Sequence, residues 1–400
     1  MNKLIYGYGV TGKAVEAFFN KKNIPYKIFD ENLTENFNNK IEIDALLKED
    51  FDEVILSPGI RENNDLLNQI RNKNLNVITD IDLFDKYHNQ KSKIIGVTGT
   101  NGKTTFVNLL YKFLELEGFK TKACGNIGES PLSIVDDDYE YVIIELSSYQ
   151  LHHTKNLRLD YGIILNIASD HLDWHGSLDG YIKAKSKIFS FADEEKVIFY
   201  DSIFDTKESR KTHVSKINLE KYNFHEINLP TDLSRSFLDM VNFLDFNKRN
   251  NFQRGYEYLK SVNPIEHRFE NISFNDDVIY INDSKATNFH AVSSAINRVE
   301  NAILILHGLT KNMPSSELKL NKNIKKIIKP KDMNVDLSNY KGILIEIESI
   351  FDLKNVLLKE VKIGDTVLFS CGGSSFNDFN NYEDRGSYFK KLVDEFKNEN

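Results

Sequence analysis

Short apolar runs, separated by amphipathic stretches of helical period, recur along this chain from one end to the other. In the first ninety residues, Lys3–Tyr8, Tyr26–Phe29, Glu53–Leu56 and Asn76–Ile78 read as strands. Ala14, Val15, Ala17, Phe18 and Phe19 fall at helical spacing between the first two. A run that is apolar at successive positions is covered on both faces, the habit of parallel strands joined by crossover helices. After a polar linker, His88–Lys91, the alternation resumes with Ile94, Ile95 and Val97, then a helix from Lys103 to Leu116 with Gly118 behind it as a C-cap. Thr121–Cys124, Tyr141–Ile144, Ile163–Asn166 and Lys196–Tyr200 continue as strands, and a helix capped by Ser177 or Asp179 carries Tyr181, Ala184, Lys185 and Ile188. Residues 194–261 are polar, with one helix expected around Phe237–Leu244. A third block places strands at Val278–Ile281, Ala302–Leu306, Ile343–Ile345 and Thr366–Phe369, with helices at Ala291–Val299 and Glu383–Phe396.

The chemistry concentrates where runs break into turns. In Lys93–Thr105 (KIIGVTGTNGKTT) a strand opens into Gly99, Thr100, Asn101 and Gly102, and Lys103, Thr104 and Thr105 begin the next helix. Backbone N–H groups and the helix dipole make such a turn an anion trap, the lysine reaches outer phosphate oxygens, and a threonine hydroxyl suits Mg²⁺. The general pattern has glycine where Val97 stands, so this is a variant phosphate loop, read as an ATP site. Gly7–Gly12 supplies GxGxxG between a strand and a helix, and Asp30 closes the next strand, as in a dinucleotide fingerprint. That βα pattern ends near Tyr87, about half the length of a full dinucleotide fold, and suits another nucleotide diphosphate equally well. Ser57, Pro58 and Gly59 end the third strand at the edge where such sheets bind ligands. Glu145 follows a buried run and His171 the next, the placement of ligands for nucleotide magnesium. Lys285, Lys311 and Ser375 sit in polar loops of the last block, able to clamp a small carboxylate. The fold expected is α/β in three domains. These are a small Rossmann-like domain (1–90), a central P-loop ATPase-type domain with a mostly parallel sheet (91–264), and a C-terminal Rossmann-like domain (265–400).

Composition narrows the partners. Net charge is −8 with no long basic block, which argues against nucleic acid and leaves anions to local loops. Two cysteines at unrelated positions form no disulfide framework or metal spacing, and no apolar run approaches membrane-spanning length. With a strand-like start in place of a signal segment, a cytoplasmic protein without membrane insertion is expected.

Taken together the motifs resemble the Mur ligase family of ATP-dependent amide-forming enzymes. The resemblance rests on GVTGTNGKTT (96–105), GNIG (125–128), ELSSYQL (145–151), SDHLDWHG (169–176), YIKAK (181–185), EHRFE (266–270), NDSKATN (282–288) and SCGGSSFNDFNNYEDRG (370–386), in family order over nearly the whole chain. It implies UDP-sugar-binding, ATP-binding and amino-acid-binding domains in a single chain acting as a monomer. It also implies UDP-N-acetylmuramoyl-L-alanine and D-glutamate as substrates, joined through an acyl phosphate and a tetrahedral intermediate. By motif match Val10, Thr11, Ser57, Pro58, Gly59 and Asn126 would contact the UDP-sugar, with Asp30 and Ser147 joining the substrate set. Gly99 through Thr105 would hold ATP, with Arg268, Asp283 and, in a reduced adenine element, Asn228. Thr104, Glu145, His171 and Lys185 would bind two Mg²⁺ ions, Lys185 as a carbamate. Lys285, Thr287, Lys311, Ser375 and Phe376 would surround the amino acid and the acyl phosphate, and His171 also borders the substrate. Catalysis would rest on Lys103, Glu145, His171, Lys185 and Lys285. The alternatives are a sister or folylpolyglutamate-type ligase using another amino acid, or an NAD-dependent oxidoreductase, which accounts for the first thirty residues alone.

Overall fold

The computed structural model describes residues 2–33, 39–193, 196–199, 227, 229–244, 251–263, 266–275, 277–310 and 313–399. The chain forms two compact units, residues 1–167, 179–219 and 235–256 in one, and 168–178, 220–234 and 257–400 in the other. Among the described residues no helix is long and apolar enough to cross a membrane.

The first unit contains two parallel sheets. In one, β1 (Lys3–Tyr6), β2 (Tyr26–Phe29), β3 (Glu53–Leu56) and β4 (Val77–Ile78) lie in the order β2-β1-β3-β4. All residues of β1 and β3 are buried, the apolar ones as a doubly covered strand requires and Lys3 and Glu53 as an ion pair at 3.0 Å. In the other, β5 (Lys93–Thr98), β6 (Thr121–Gly125), β7 (Tyr141–Glu145), β8 (Tyr161–Ile164) and β9 (Val197–Phe199) take the order β6-β7-β5-β8-β9. Helix Lys103–Leu116 buries Phe106, Val107, Leu110, Phe113 and Leu114. Phe237, on helix Thr231–Phe243, meets Phe106 and Phe113 edge-on at 6.4 and 5.6 Å.

Helix Asp80–Tyr87 joins the two sheets of this unit through polar contacts. Thr79 and Asp82 form a capping box at its start. The other oxygen of Asp82, Oδ1, accepts from the backbone N–H of Lys155 (2.9 Å) and of Asn156 (2.6 Å). Asp85 accepts from Arg158 N–H at 2.7 Å, and the Thr79 and Thr154 hydroxyls are 3.1 Å apart.

The second unit carries one sheet of β10 (Glu270–Asn271), β11 (Ile279–Asp283), β12 (Ala302–His307), β13 (Ile324–Pro330), β14 (Leu344–Ile347) and β15 (Thr366–Gly372). Its order is β10-β11-β15-β12-β13-β14, parallel except for the edge strand β10. Helix Phe289–Ile296 supplies Phe289, Val292 and Ile296 to one apolar cluster, and helix Tyr382–Glu399 supplies Phe389, Leu392, Val393 and Phe396 to another. The α/β class read from the sequence is the class formed.

Helix Val10–Lys22 lies so close to the turn before it that a Cβ on Gly12 would come within 2.2 Å of the Gly7 carbonyl oxygen. Gly12→Ala must therefore push the helix from β1 and should destabilise by about 1–3 kcal/mol, the usual cost of overpacking. Urea denaturation checks this; an unchanged midpoint would show that the turn yields freely.

Candidate active site

Parallel strands deliver their loops to one edge, and the phosphate loop leaves the centre of the second sheet at the end of β5. Asn166 pins it: its side chain accepts from Asn101 N–H at 2.8 Å and donates to Asn101 O at 3.1 Å, while its own carbonyl accepts from Thr100 N–H at 3.0 Å. The Thr100 hydroxyl is 3.0 Å from that of Tyr181. Lys103 curls over the loop and donates to Gly99 O (2.8 Å) and Thr100 O (3.0 Å). Lys185, only 1% exposed, donates to the same Gly99 oxygen at 2.8 Å and lies 3.4 Å from Thr98 Oγ1. Two ammonium groups thus converge on one carbonyl, an arrangement that attracts an anion. Thr104 occupies the first turn of the following helix.

Glu145 ends β7, registered between Val97 of β5 and Gly125 of β6. It is 1% exposed; Oε1 accepts from Asn126 Nδ2 at 3.0 Å, and Oε2 is buried without a hydrogen-bond partner. A buried carboxylate oxygen in that state suits a hard cation. Gly125 makes the approach possible: its φ is +109°, and a Cβ there would sit 2.3 Å from the Glu145 carbonyl oxygen. Ser147, expected in the substrate set, uses its hydroxyl to cap helix Ser148–His153 with Gln150.

The first sheet opens on a cavity of about 340 Å³ whose walls include Asp30, Glu31, Gly59, Arg61 and Asn64. It brings together Asp30 and Gly59 of the expected sugar-nucleotide residues. Asp30 also braces the glycine turn, accepting from Tyr8 N–H at 2.6 Å, and Ser57 donates to Gly7 O at 2.7 Å. Val10 is 86% exposed beside the turn, with Thr11 next to it and Pro58 beside Gly59. Asn126 lies instead with Glu145.

In the second unit His171 adopts a left-handed conformation (φ 53°) at the start of helix Leu172–His175, well past the end of β8, and lies 3.6 Å from the Asp170 carboxylate. Asp283 ends β11, accepting from Ser370 Oγ at 2.7 Å and Phe269 N–H at 3.0 Å; burial pushes its carboxyl up to about 6. Arg268 adjoins Phe269 in the same turn. Lys285 Nζ sits 3.6 Å over the Tyr382 ring, Thr287 follows in the same loop, and Ser375 is buried beside the exposed Phe376. Lys311 and Asn228 lie outside the described residues.

Three participants had no role in the sequence reading: Asn166, Tyr181 and Arg385. Arg385 is fully buried and serves three loops at once. Its Nε donates to Ser284 Oγ (3.0 Å), one terminal nitrogen to Ser284 O (2.7 Å), and the other to His307 O (3.2 Å) and Gly373 O (3.0 Å). The same nitrogen is 3.2 Å from His307 Nδ1, which leaves Nε2 to donate to Asp378 at 2.8 Å. In sequence Arg385 falls inside the quoted 370–386 motif and in an amphipathic helix, but the motif carries no signal that its charge is buried.

Comparisons with known proteins address the family and the fold. A family model of the Mur ligase middle domain matches residues 97–251. The UDP-N-acetylmuramoylalanine--D-glutamate ligase of Buchnera aphidicola subsp. Acyrthosiphon pisum (strain Tuc7) is 31% identical, over 98% of this chain and 97% of its own. The enzyme of that name from Thermotoga sp. (strain RQ2) is 28% identical over 86% of this chain and 84% of its own. Among solved structures, the MurF ligase from Thermotoga maritima in complex with ADP matches with a TM-score of 0.58 at 17% identity, covering 95% of this chain and 92% of that one. That likeness is one of fold.

Replacing Arg385 by Met would strand the buried carbonyls of Ser284, His307 and Gly373, each at a cost of about 1–3 kcal/mol. Arg385→Met should lower the chain's urea midpoint clearly, and Arg385→Lys, able to serve fewer of them, should fall between. Wild-type midpoints for both would remove Arg385 from this role.

Proposed function

The chain belongs to the Mur ligase family, and from that premise we propose that this ATP-dependent amide ligase joins D-glutamate to UDP-N-acetylmuramoyl-L-alanine. The observation that carries the ATP half is the glycine turn on which Lys103 and Lys185 converge, beside the buried carboxylate of Glu145. The choice of substrates is supported by relatives named for that reaction, which match this chain over nearly its whole length. The expected division at residues 90 and 264 would assign the sugar nucleotide, ATP and the amino acid to successive domains.

In this reading the muramoyl-alanine carboxylate attacks the γ-phosphoryl group of ATP and ADP leaves. The amine of D-glutamate then attacks the acyl phosphate; it loses a proton, and the tetrahedral intermediate expels phosphate. Lys103 and the loop N–H groups hold the phosphates and oppose their charge through both steps. Thr104, Glu145, His171 and Lys185 would hold Mg²⁺, and the unpartnered Glu145 Oε2 fits that use. The ions, when bound, would neutralise charge on the transferring phosphoryl group. Arg268 and Asp283 would reach the nucleotide; Lys285, Thr287, Ser375 and Phe376 would receive the amino acid, with Lys311 for its carboxylate.

Carbamylation of Lys185 by carbon dioxide, in which the ammonium gives up two protons as the N–C bond forms, would replace a cation with an oxygen-bearing anion while keeping one N–H for the Gly99 carbonyl. Such an anion beside Lys103 is better placed for metal than an ammonium would be.

Phosphate release measured with UDP-N-acetylmuramoyl-L-alanine across a panel of D- and L-amino acids tests the assignment. Release is expected only with both co-substrates and chiefly with D-glutamate; release with sugar nucleotide and another amino acid would replace the assignment with a sister activity.

Lys185→Ala should lose nearly all turnover, with partial recovery in added acetate or formate. Turnover retained by Lys185→Arg, without any effect of added carboxylate, would overturn the carbamate.

A further inference from the structure

Away from the groups assigned above, one set of side chains in the first unit converges without a part in the reaction. Glu62 lies in the segment after β3, and His152 and His153 end helix Ser148–His153. We propose that Glu62, His152 and His153 form a binding site for a nitrogen-preferring divalent cation of the zinc class, with a fourth coordination position open to water.

The distances argue for it. Glu62 Oε2 is 3.2 Å from His152 Nε2, a hydrogen bond whose proton the ion would displace, and 3.5 Å from His153 Nδ1. Donors bound at about 2.0–2.1 Å around a tetrahedral zinc ion stand about 3.3 Å from one another. Two edges of the tetrahedron are thus already at working length. All three ligand atoms fall within 4.8 Å of one another, so the remaining edge, between the rings, closes with a modest turn of the partly exposed His152.

The deepest ligand is already oriented. His153 has its side chain only 2% exposed, with Nε2 2.8 Å from the carbonyl oxygen of Ile60. A carbonyl can only accept, so Nε2 carries the ring hydrogen and, in the neutral ring, Nδ1 presents its lone pair beside Glu62. A cation between that lone pair and the carboxylate would be bound by both. An imidazole held through its distal N–H by a backbone carbonyl is the usual second layer of a zinc site. Arg71 donates to the Glu62 carboxylate from both terminal nitrogens and fixes its plane. Two nitrogens and one carboxylate favour zinc-like ions over Mg²⁺ or Ca²⁺, which take oxygen. The charges of Arg71 and of Lys187, which donates to the His152 and Thr154 carbonyls, oppose a cation and set its affinity below that of a closed structural site.

Occupancy has a mechanical effect. Ile60 and Arg61, the residues just before Glu62, line the cavity of the first sheet. An ion shared by Glu62 and the two histidines would tie that wall to the helix that follows β7.

Calorimetric titration of the chelator-treated full chain with zinc chloride, in excess Mg²⁺ to fill oxygen-rich sites, tests the proposal. One zinc ion per chain is expected at this site, with a rise in Tm, and cobalt should give the visible absorbance of a tetrahedral centre. His152→Ala and Glu62→Gln change partly exposed side chains and should fold normally by circular dichroism. Each should weaken zinc binding about 10–100-fold or more and cancel the rise in Tm. His152→Gln repeats the test should the alanine variant misfold. Zinc bound by the His152 variant as by the wild type, or no zinc taken up by the wild type, overturns the site.

Discussion

An ammonium group removed from water has to find acceptors, and that requirement organises the edge of the second sheet. Removing an ion from water costs several kcal/mol even after relaxation, and the phosphate loop helps to make the buried position of Lys185 tolerable by turning Gly99 O toward it. Thr98, near the same ammonium, passes the connection on by donating to Leu146 O at 2.8 Å, next to Glu145. Tyr181, one helical turn before Lys185, adds its hydroxyl to Thr100 and its ring face to the ammonium at 4.7 Å. Loop, helix and acidic strand end are thereby fixed by one chain of polar contacts.

The second unit meets a related need with a guanidinium. Loops leaving parallel strands carry carbonyls that no neighbouring strand can satisfy, and burying them calls for an internal donor. Arg385 is suited to it because its five N–H groups are planar and fixed in direction. Ser284, His307 and Gly373 belong to the ends of β11, β12 and β15, so a residue of the last helix aligns three loops. Lys285 and Ser375 stand within two residues of those anchors, and their positions inherit that alignment.

The legible parts of the chain were those where one physical signal dominated. Tyr26–Phe29 and Glu53–Leu56 were read to the residue because short, mostly apolar runs between turn residues have few other meanings, and Lys103–Leu116 because a glycine turn marks its start. β13 was missed: Lys325, Lys326 and Lys329 interrupt its pattern, and their partners Asp365, Glu360 and Glu346 come from distant parts of the chain. Helix Thr231–Phe243 begins earlier than its apolar residues suggested, since Asp232, Ser234 and Arg235 add no hydrophobic period. At the candidate site, Lys103, Glu145 and Lys185 could be named because their motifs are local. Asn166 and Arg385 could not, because what distinguishes them is the set of backbone atoms that folding brings to their side chains.

Asp82 closes a helix with one oxygen and, with the other, receives two backbone amides from residues beyond the second sheet's acidic strand. A segment cut at the polar linker would therefore not come away clean: the amides of Lys155, Asn156 and Arg158 would lose their acceptors, and Thr154 its hydroxyl neighbour. The leading ninety residues are thus not an exchangeable cassette. A foreign βα module grafted in their place would have to reproduce a carboxylate at one helical position and a second one turn later. Any exchange of this segment is constrained at the seam by backbone chemistry.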